Sequence, residues 1–304
     1  MKLIESKAEL VLQQEGLEGV YKQIEFCGRT CYKSEDKITE ESAKPFVDRM
    51  IASNHLAMLE HGTIYLKISL PKKAWFTDIV DKYYHNPYSK VNNTFDDYDY
   101  HYFITTNYRV LVENNWLDDL KYLCGPTELH EKRYTIKFTC SRDISHELVR
   151  HRVFSFAQES QRYCNYSKER HGGEITFIIP SWYDETKIPI FKNPQTVIEK
   201  NMVQQDENSN IFEMALRDAE IYYLDLLVSG ATPQEARAVL PNATKTEICM
   251  TGFASDWRHF FDLRLFGKTG APHPDMLVLA NKAKEAAEEA GIWEDIMRYK
   301  SKFN

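Results

Sequence analysis

The sequence predicts a single α+β domain, and three observations carry that prediction. Segments with strand alternation and segments with helical periodicity are both spread along the 304 residues. No internal repeat, low-complexity tract or Gly/Ser-rich linker divides the chain. No G-x-G-x-x-G follows any strand-like run, which leaves a doubly wound dinucleotide fold without support. With 43% hydrophobic residues, a chain of this length buries one large core or two modest ones.

In order along the chain, residues 19–27 and 39–52 read as helices. In the second, Glu40 and Glu41 suit a helix start, and Phe46, Val47, Met50 and Ile51 recur at helical spacing. The pattern breaks over 55–62. Residues 63–70, TIYLKISL, alternate as a half-buried strand stopped by Pro71, and 73–84 are helix-compatible. Residues 85–130 carry Asn-Pro, Asn-Asn and Gly-Pro turn signals around the acidic-aromatic run 96–102, and read as an insertion. Its tyrosines suit a lid or a subunit contact; a plain surface excursion is the alternative.

Residues 133–140, RYTIKFTC, read as a strand feeding a helix from Ser141, and 174–179 as a short strand ended by Pro180. A long helix is predicted over 208–229, with Phe212, Ala215, Leu216, Ala219, Tyr222, Tyr223, Leu226 and Leu227 inward, stopped by Gly230. Thr232-Pro233 starts another, ending near Leu240-Pro241. Residues 247–253 are apolar and β-capable, 255–265 are helical, and 275–290 form a helix stopped at Gly291.

The most informative stretch is Arg150 to Ser160, where two arginines bracket His151. Ile144, Leu148 and Val149 recur at helical spacing ahead of it, which places the triplet on the last turns of an amphipathic helix. Successive helical residues are turned by about 100°, so at least one of the three should face the protein or a ligand. Arginine forks onto phosphates and carboxylates, and Arg162 adds another guanidinium just downstream. A polyanionic ligand is one reading. The other is a helix end that complements the helix dipole and pairs with Glu147, Glu159 or Glu169.

Net charge −7 and pI near 5.8 argue against a dedicated nucleic-acid or anionic-membrane binder. No apolar run approaches the roughly 18 to 20 residues of a membrane span, and the N-terminal residues lack the apolar core of a signal peptide. A cytoplasmic protein is expected. Of the cysteines at 27, 31, 124, 140, 164 and 249, only Cys27 and Cys31 are close; without a second pair they support neither a metal site nor a disulfide.

The RHR-x7-S spacing followed by Gln161-Arg162-Tyr163 resembles the signature of the flavin-dependent thymidylate synthases. Further blocks resemble that family in the same order. Leu59-Glu60-His61-Gly62 precedes a β-rich run, Ala236-Arg237-Ala238-Val239-Leu240-Pro241 is similar to an A-R-x-x-L-P element, and 257–264, WRHFFDLR, to a W-x-x-F-x-x-L-R element. The resemblance covers most of the chain outside 72–132 and 183–206.

It implies one domain over 1–304 with a mixed or antiparallel sheet flanked by helices, residues 85–130 being longer than the family's connection there. It implies methylation of dUMP to dTMP, with 5,10-methylenetetrahydrofolate as carbon donor and NADPH-reduced FAD as hydride source, without a protein nucleophile. Carried over residue by residue, Arg150, His151, Arg152, Gln158, His61 and His259 resemble the FAD contacts. Glu147, Gln158, Ser160, Gln161, Arg162, Arg237 and Arg264 resemble the dUMP site, with Arg264 the catalytic cation against the uracil. A homotetramer with shared active sites is also implied. The chain departs from the pattern at Glu147, where glutamine is common, at Gln234, where a carboxylate often stands, and over 253–256, where asparagine and arginine are frequent. An inactive homologue acting as an oligomeric binding protein and an RNA-binding module are the alternatives; joint retention of Arg162, Arg237 and Arg264 disfavours the first, and net charge the second.

Overall fold

Two short strands open the chain, β1 (Lys2–Ile4) and β2 (Lys7–Val11), followed by α1 (Gly16–Tyr32) and α2 (Ala43–Ala52). The structure, a computed structural model, describes residues 1–74, 77–162, 165–166, 173–183 and 207–303. Both strands escaped the sequence reading because five residues or fewer hold too little alternation. α2 starts later than predicted because Thr39 and Ser42 close a turn on themselves, Thr39 N donating to Ser42 Oγ at 2.8 Å. Glu40 and Glu41 therefore lie outside the helix.

β3 (Thr63–Pro71) follows a 3-10 segment, Leu56–His61, and α3 (Asp78–Tyr84) is shorter than the predicted 73–84. Residues 85–130 are not a surface excursion. They supply β4 (Lys90–Phe95), β5 (Asp99–Asn107) and α4 (Tyr108–Glu113). β5 is the middle strand of an antiparallel sheet ordered β3-β5-β4, in register from Thr63 opposite Asn107 to Pro71 opposite Asp99. The acidic part of the run makes the hairpin turn, where Asp96 Oδ1 accepts from Tyr98 N and Asp99 N at 2.8 Å each. The aromatic part enters the strand, where Tyr102 and Phe103 are buried.

β6 (Arg133–Ser141) leads into α5 (Arg142–Leu148), and β7 (Ser155–Gln158), β8 (Thr176–Ile178) and α6 (Glu207–Val228) follow. Leu216, Ala219 and Tyr223 of α6 are buried as predicted, whereas Ala215 and Tyr222 are exposed. α7 (Pro233–Ala236) passes into a 3-10 turn, Arg237–Val239, ahead of β9 (Lys245–Phe253). α8 (Ala254–Arg264), α9 (Pro274–Glu289) and α10 (Trp293–Met297) complete the chain, α10 being too short for its periodicity to show.

The chain gathers into two compact units. One comprises Met1–Ser6, Cys140–Ser145 and Ser160–Thr246. Here β1 and β8 pair in parallel, and Phe177, Ile175, Leu216 and Tyr223 form the core. The other comprises Lys7–Thr139, His146–Glu159 and Glu247–Asn304. It holds the three-stranded sheet and most of a four-stranded sheet ordered β2-β6-β9-β7, with β2 antiparallel to β6 and β7 antiparallel to β9. Ile24, Phe46, Leu59, Ile64 and Ile104 join α1, α2 and the three-stranded sheet in one core. Phe138, Trp257, Phe260 and Phe261 are likewise fully buried, and Trp257 Nε1 donates to Tyr134 O at 3.0 Å. The architecture is α+β with sheets and helices in one chain, as the sequence predicted. No helix among the described residues is long and apolar enough to cross a membrane.

Candidate active site

The Arg150-His151-Arg152 triplet lies just beyond α5, not on its last turns. The helix ends at Leu148, and the backbone turns tightly: Arg150 N donates to Glu147 O at 3.3 Å and Phe154 N to His151 O at 3.1 Å. This turn sends His151 inward, 7% exposed, while Arg150 and Arg152 stay exposed. Phe154 anchors the turn against Trp257 with ring centroids 4.8 Å apart. Gly252 of β9 makes room for it: a Cβ there would stand 2.4 Å from the Phe154 ring.

His151 meets Arg264, the last residue of α8. Arg264 Nε donates to His151 Nε2 at 3.1 Å, and Arg264 Nη1 to Glu147 Oε2 at 2.7 Å. Burial lowers the His151 pKa to about 4, and the charges of Arg264, His259 and Arg150 push the same way. The ring is neutral at physiological pH. Its Nε2 lone pair is committed to Arg264, so the ring hydrogen sits on Nδ1. Glu147, the unusual carboxylate, is thus paired with the arginine expected at the uracil.

His61 ends the 3-10 segment before β3 and is fully buried. Its Nδ1 lies 2.7 Å from Thr251 Oγ1, which lies 2.7 Å from Thr135 Oγ1, which accepts from Gln23 Nε2 at 2.9 Å. Burial lowers the His61 pKa to about 3, Arg133 adds to the effect, and a loose backbone contact with Phe156 only partly offsets it. Nε2 has no partner of hydrogen-bond geometry. His259 Nδ1 is also buried without a partner, its ring stacked on Phe303 with centroids 5.4 Å apart. Buried polar atoms are normally hydrogen-bonded, so two orphaned histidine nitrogens in one unit fit a ligand with polar edges. The exposed Arg150 and Arg152, in no ion pair among the described residues, fit one with anionic groups. A flavin dinucleotide has both.

The remaining predicted residues divide between the units. Gln158 lies in β7, opposite Ile248, in the unit that holds Glu147 and Arg264. Ser160, Gln161, Arg162 and Arg237 belong to the other. Ser160 is half-buried, Arg162 exposed, and Gln161 buried with Nε2 lacking a partner. Arg237 opens the 3-10 turn after α7, half-exposed. Glu235 caps α7, accepting from Thr232 N at 2.8 Å, so it does not stand in for the carboxylate missing at Gln234. Tyr163 lies outside the described residues. The sequence reading missed Gln23, Thr135, Thr251 and Gly252. Strand threonines and a strand glycine give no signal until their cross-strand neighbours are known.

The family described as Thymidylate synthase complementing protein (Thy1) matches residues 116–290. The chain is 40% identical over 128 residues to a flavin-dependent thymidylate synthase of Corynebacterium glutamicum, covering 41% of this chain and 46% of that protein. One from Geobacter sulfurreducens is 32% identical over 150 residues, covering 49% and 55%. The match thus spans about half the length of these curated relatives. Among solved structures, a UMP/dUMP methylase from Streptomyces cacaoi bound with 5-Br dUMP aligns over 98% of this chain and 97% of its own, at 17% identity and a TM-score of 0.44. With the family match extending over more than half of its residues, this chain belongs to the Thy1 family of thymidylate synthase complementing proteins.

Proposed function

We propose that this protein is a flavin-dependent thymidylate synthase that converts dUMP to dTMP, with 5,10-methylenetetrahydrofolate as carbon donor and NADPH-reduced FAD as hydride source. The observation that carries the reading is the meeting of His151 and Arg264, residues of two separate family motifs, at 3.1 Å. Bound FAD would mediate the carbon transfer and supply the hydride. The chain's own residues hold and polarise. Arg264 places a fixed cation where the uracil ring can gain electron density, and Glu147 and His151 fix its orientation from two sides. His61 and His259 offer buried ring nitrogens to the flavin, with Arg150, Arg152 and Gln158 completing that set. Ser160, Gln161, Arg162 and Arg237 take the nucleotide. No protein nucleophile is required, and His151, its Nε2 occupied by Arg264, has no free lone pair to serve as a base.

One working domain over 1–304 is part of this reading, and the family match over 116–290 takes in residues of both compact units. The proposed assembly is a cytoplasmic homotetramer. Purified protein is expected to show a flavin absorption band that bleaches with NADPH and to form dTMP from dUMP and the folate. A colourless protein that takes up no added FAD, or a fully active monomer in light scattering, would reject this reading or its oligomeric part respectively.

A further inference from the structure

A cavity of about 200 Å³ opens beside α1 and β6, lined by Gln13, Gln23, Thr63, Lys132, Arg133 and Thr135 among others. None of the residues assigned above to flavin or nucleotide lines it. Its most unusual wall residue is Arg133, 9% exposed. Arg133 Nη1 donates to Glu60 O at 3.0 Å and to Thr63 Oγ1 at 3.4 Å, while Nε is buried with no partner. No carboxylate among the described residues lies within the 4.0 Å of an ion pair with it. Two acids act on it only from beyond that distance: Glu60, which is held by Arg109 at 2.5 Å, and Asp256, which accepts from Phe253 N at 3.3 Å. The Phe253 ring, 5.4 Å from the guanidinium carbon, supplies only a weak quadrupole.

A buried cation without a carboxylate is unusual, since buried charges are paired or bind an ion. The rest of the wall is consistent with a missing anion. Lys132 faces the same space, its nearest acid being the exposed Glu128 at 3.8 Å. Glu15 and Gly16, at the start of α1, form another part of the wall, and Glu15 makes no side-chain capping bond, so the dipole of this 17-residue helix adds positive potential. Against these stands one carboxylate, Glu15, so two cations face one anion.

We propose that this cavity binds a compact phosphate-type oxyanion, held by Arg133 with Lys132 at its mouth. The anion can be free or a phosphate of a larger ligand. Either is recognised by the same forked, charge-assisted hydrogen bonds.

The test is calorimetric titration of inorganic phosphate into the full chain as purified, in flavin-free and FAD-loaded forms. Wild type and the surface control Lys44→Gln are expected to bind saturably. Arg133→Gln is expected to bind at least tenfold more weakly, and Lys132→Gln severalfold more weakly. Lys132 is the less buried of the two, so its substitution keeps the test valid if Arg133→Gln fails to fold. Cys124, on the cavity wall, gives a second readout: phosphate is expected to slow its alkylation in wild type and to slow it less in Lys132→Gln. If FAD abolishes phosphate binding, the oxyanion belongs to the flavin; if both bind together, the site takes a free anion. Absence of saturable binding, or binding unchanged in Lys132→Gln and in folded Arg133→Gln, overturns the proposal.

Discussion

Arg264 Nε donates to His151 Nε2 at 3.1 Å, joining the end of α8 to the turn after α5 across 113 residues of sequence. A guanidinium can only donate, so this bond exists only while His151 Nε2 is unprotonated. Protonation would set two cations against each other inside the protein.

The burial of two neutral histidines yields a pH prediction. His61 and His151 have pKa values lowered to about 3 and 4, against the usual 6.5. Between those values and 6.5 the unfolded chain binds protons that the folded chain refuses, so stability increases with pH through this window and is fully present above it. Each histidine contributes about 1.4 kcal/mol per pH unit there. Denaturant unfolding is expected to show lower stability at pH 5 than at pH 7. Nitrogen-15 spectra should show both rings neutral at pH 5.5, and a doubly protonated ring at that pH would reject the assignment.

Arg264→Ala is expected to retain flavin and lose dUMP affinity by about ten- to a hundredfold, the loss of a charge-assisted hydrogen bond being roughly 1.5 to 3 kcal/mol. Glu147→Gln removes a negative charge but keeps an acceptor for Arg264 Nη1. It is expected to fold, turn over and bind dUMP as tightly as wild type or severalfold more tightly. Equal dUMP titrations for wild type and Arg264→Ala would remove Arg264 from the site.

Ser160 and Arg162 should rank differently. A serine hydroxyl contributes one neutral hydrogen bond and an arginine a full charge, so Ser160→Ala is expected to keep measurable dTMP formation while Arg162→Ala binds dUMP far more weakly. Denaturing mass spectrometry during turnover should find no adduct on Ser160. A trapped seryl-nucleotide species, or loss of all chemistry in Ser160→Ala with dUMP binding intact, contradicts the proposal.

Gly252→Ala tests the seat of the arginine turn. The added methyl would stand 2.4 Å from the Phe154 ring, which is itself packed on Trp257. Overpacking of this kind costs about 1 to 3 kcal/mol. Thermal unfolding should fall accordingly, with flavin retention falling alongside because Phe154 sits two residues from Arg152. An unperturbed variant would mean that the turn moves freely on β9.

Much of this fold was legible in the sequence because it repeats. β3, β6, α8 and α9 each carry several periods of alternation or helical spacing, and each lies within a few residues of its predicted place. β1, β2 and β7, at three to five residues, carry too few. The end of α5 was misplaced because neither glycine nor proline stands between Leu148 and Arg150, and the chain stops its helix there by turning His151 into the aromatic core. The motif blocks named His151 and Arg264 separately; their contact, and the pairing of Glu147, are tertiary facts. Arg133 appeared in the sequence only as the first residue of a strand, and nothing in RYTIKFTC says that its charge is buried.

The row of side chains from Gln23 to His61 has a direction. An amide nitrogen only donates, so Thr135, having accepted from Gln23, must pass its own hydrogen to Thr251, or that buried hydrogen has no acceptor. Thr251 in turn gives its hydrogen to His61 Nδ1, and the ring must then carry its hydrogen on Nε2, the atom left without a partner. An ionised glutamate at position 23 would run the row backwards: each hydroxyl would point toward α1, Nδ1 would become the donor, and Nε2 would be left as a bare acceptor. One amide on the first long helix therefore decides whether this histidine offers a hydrogen or asks for one.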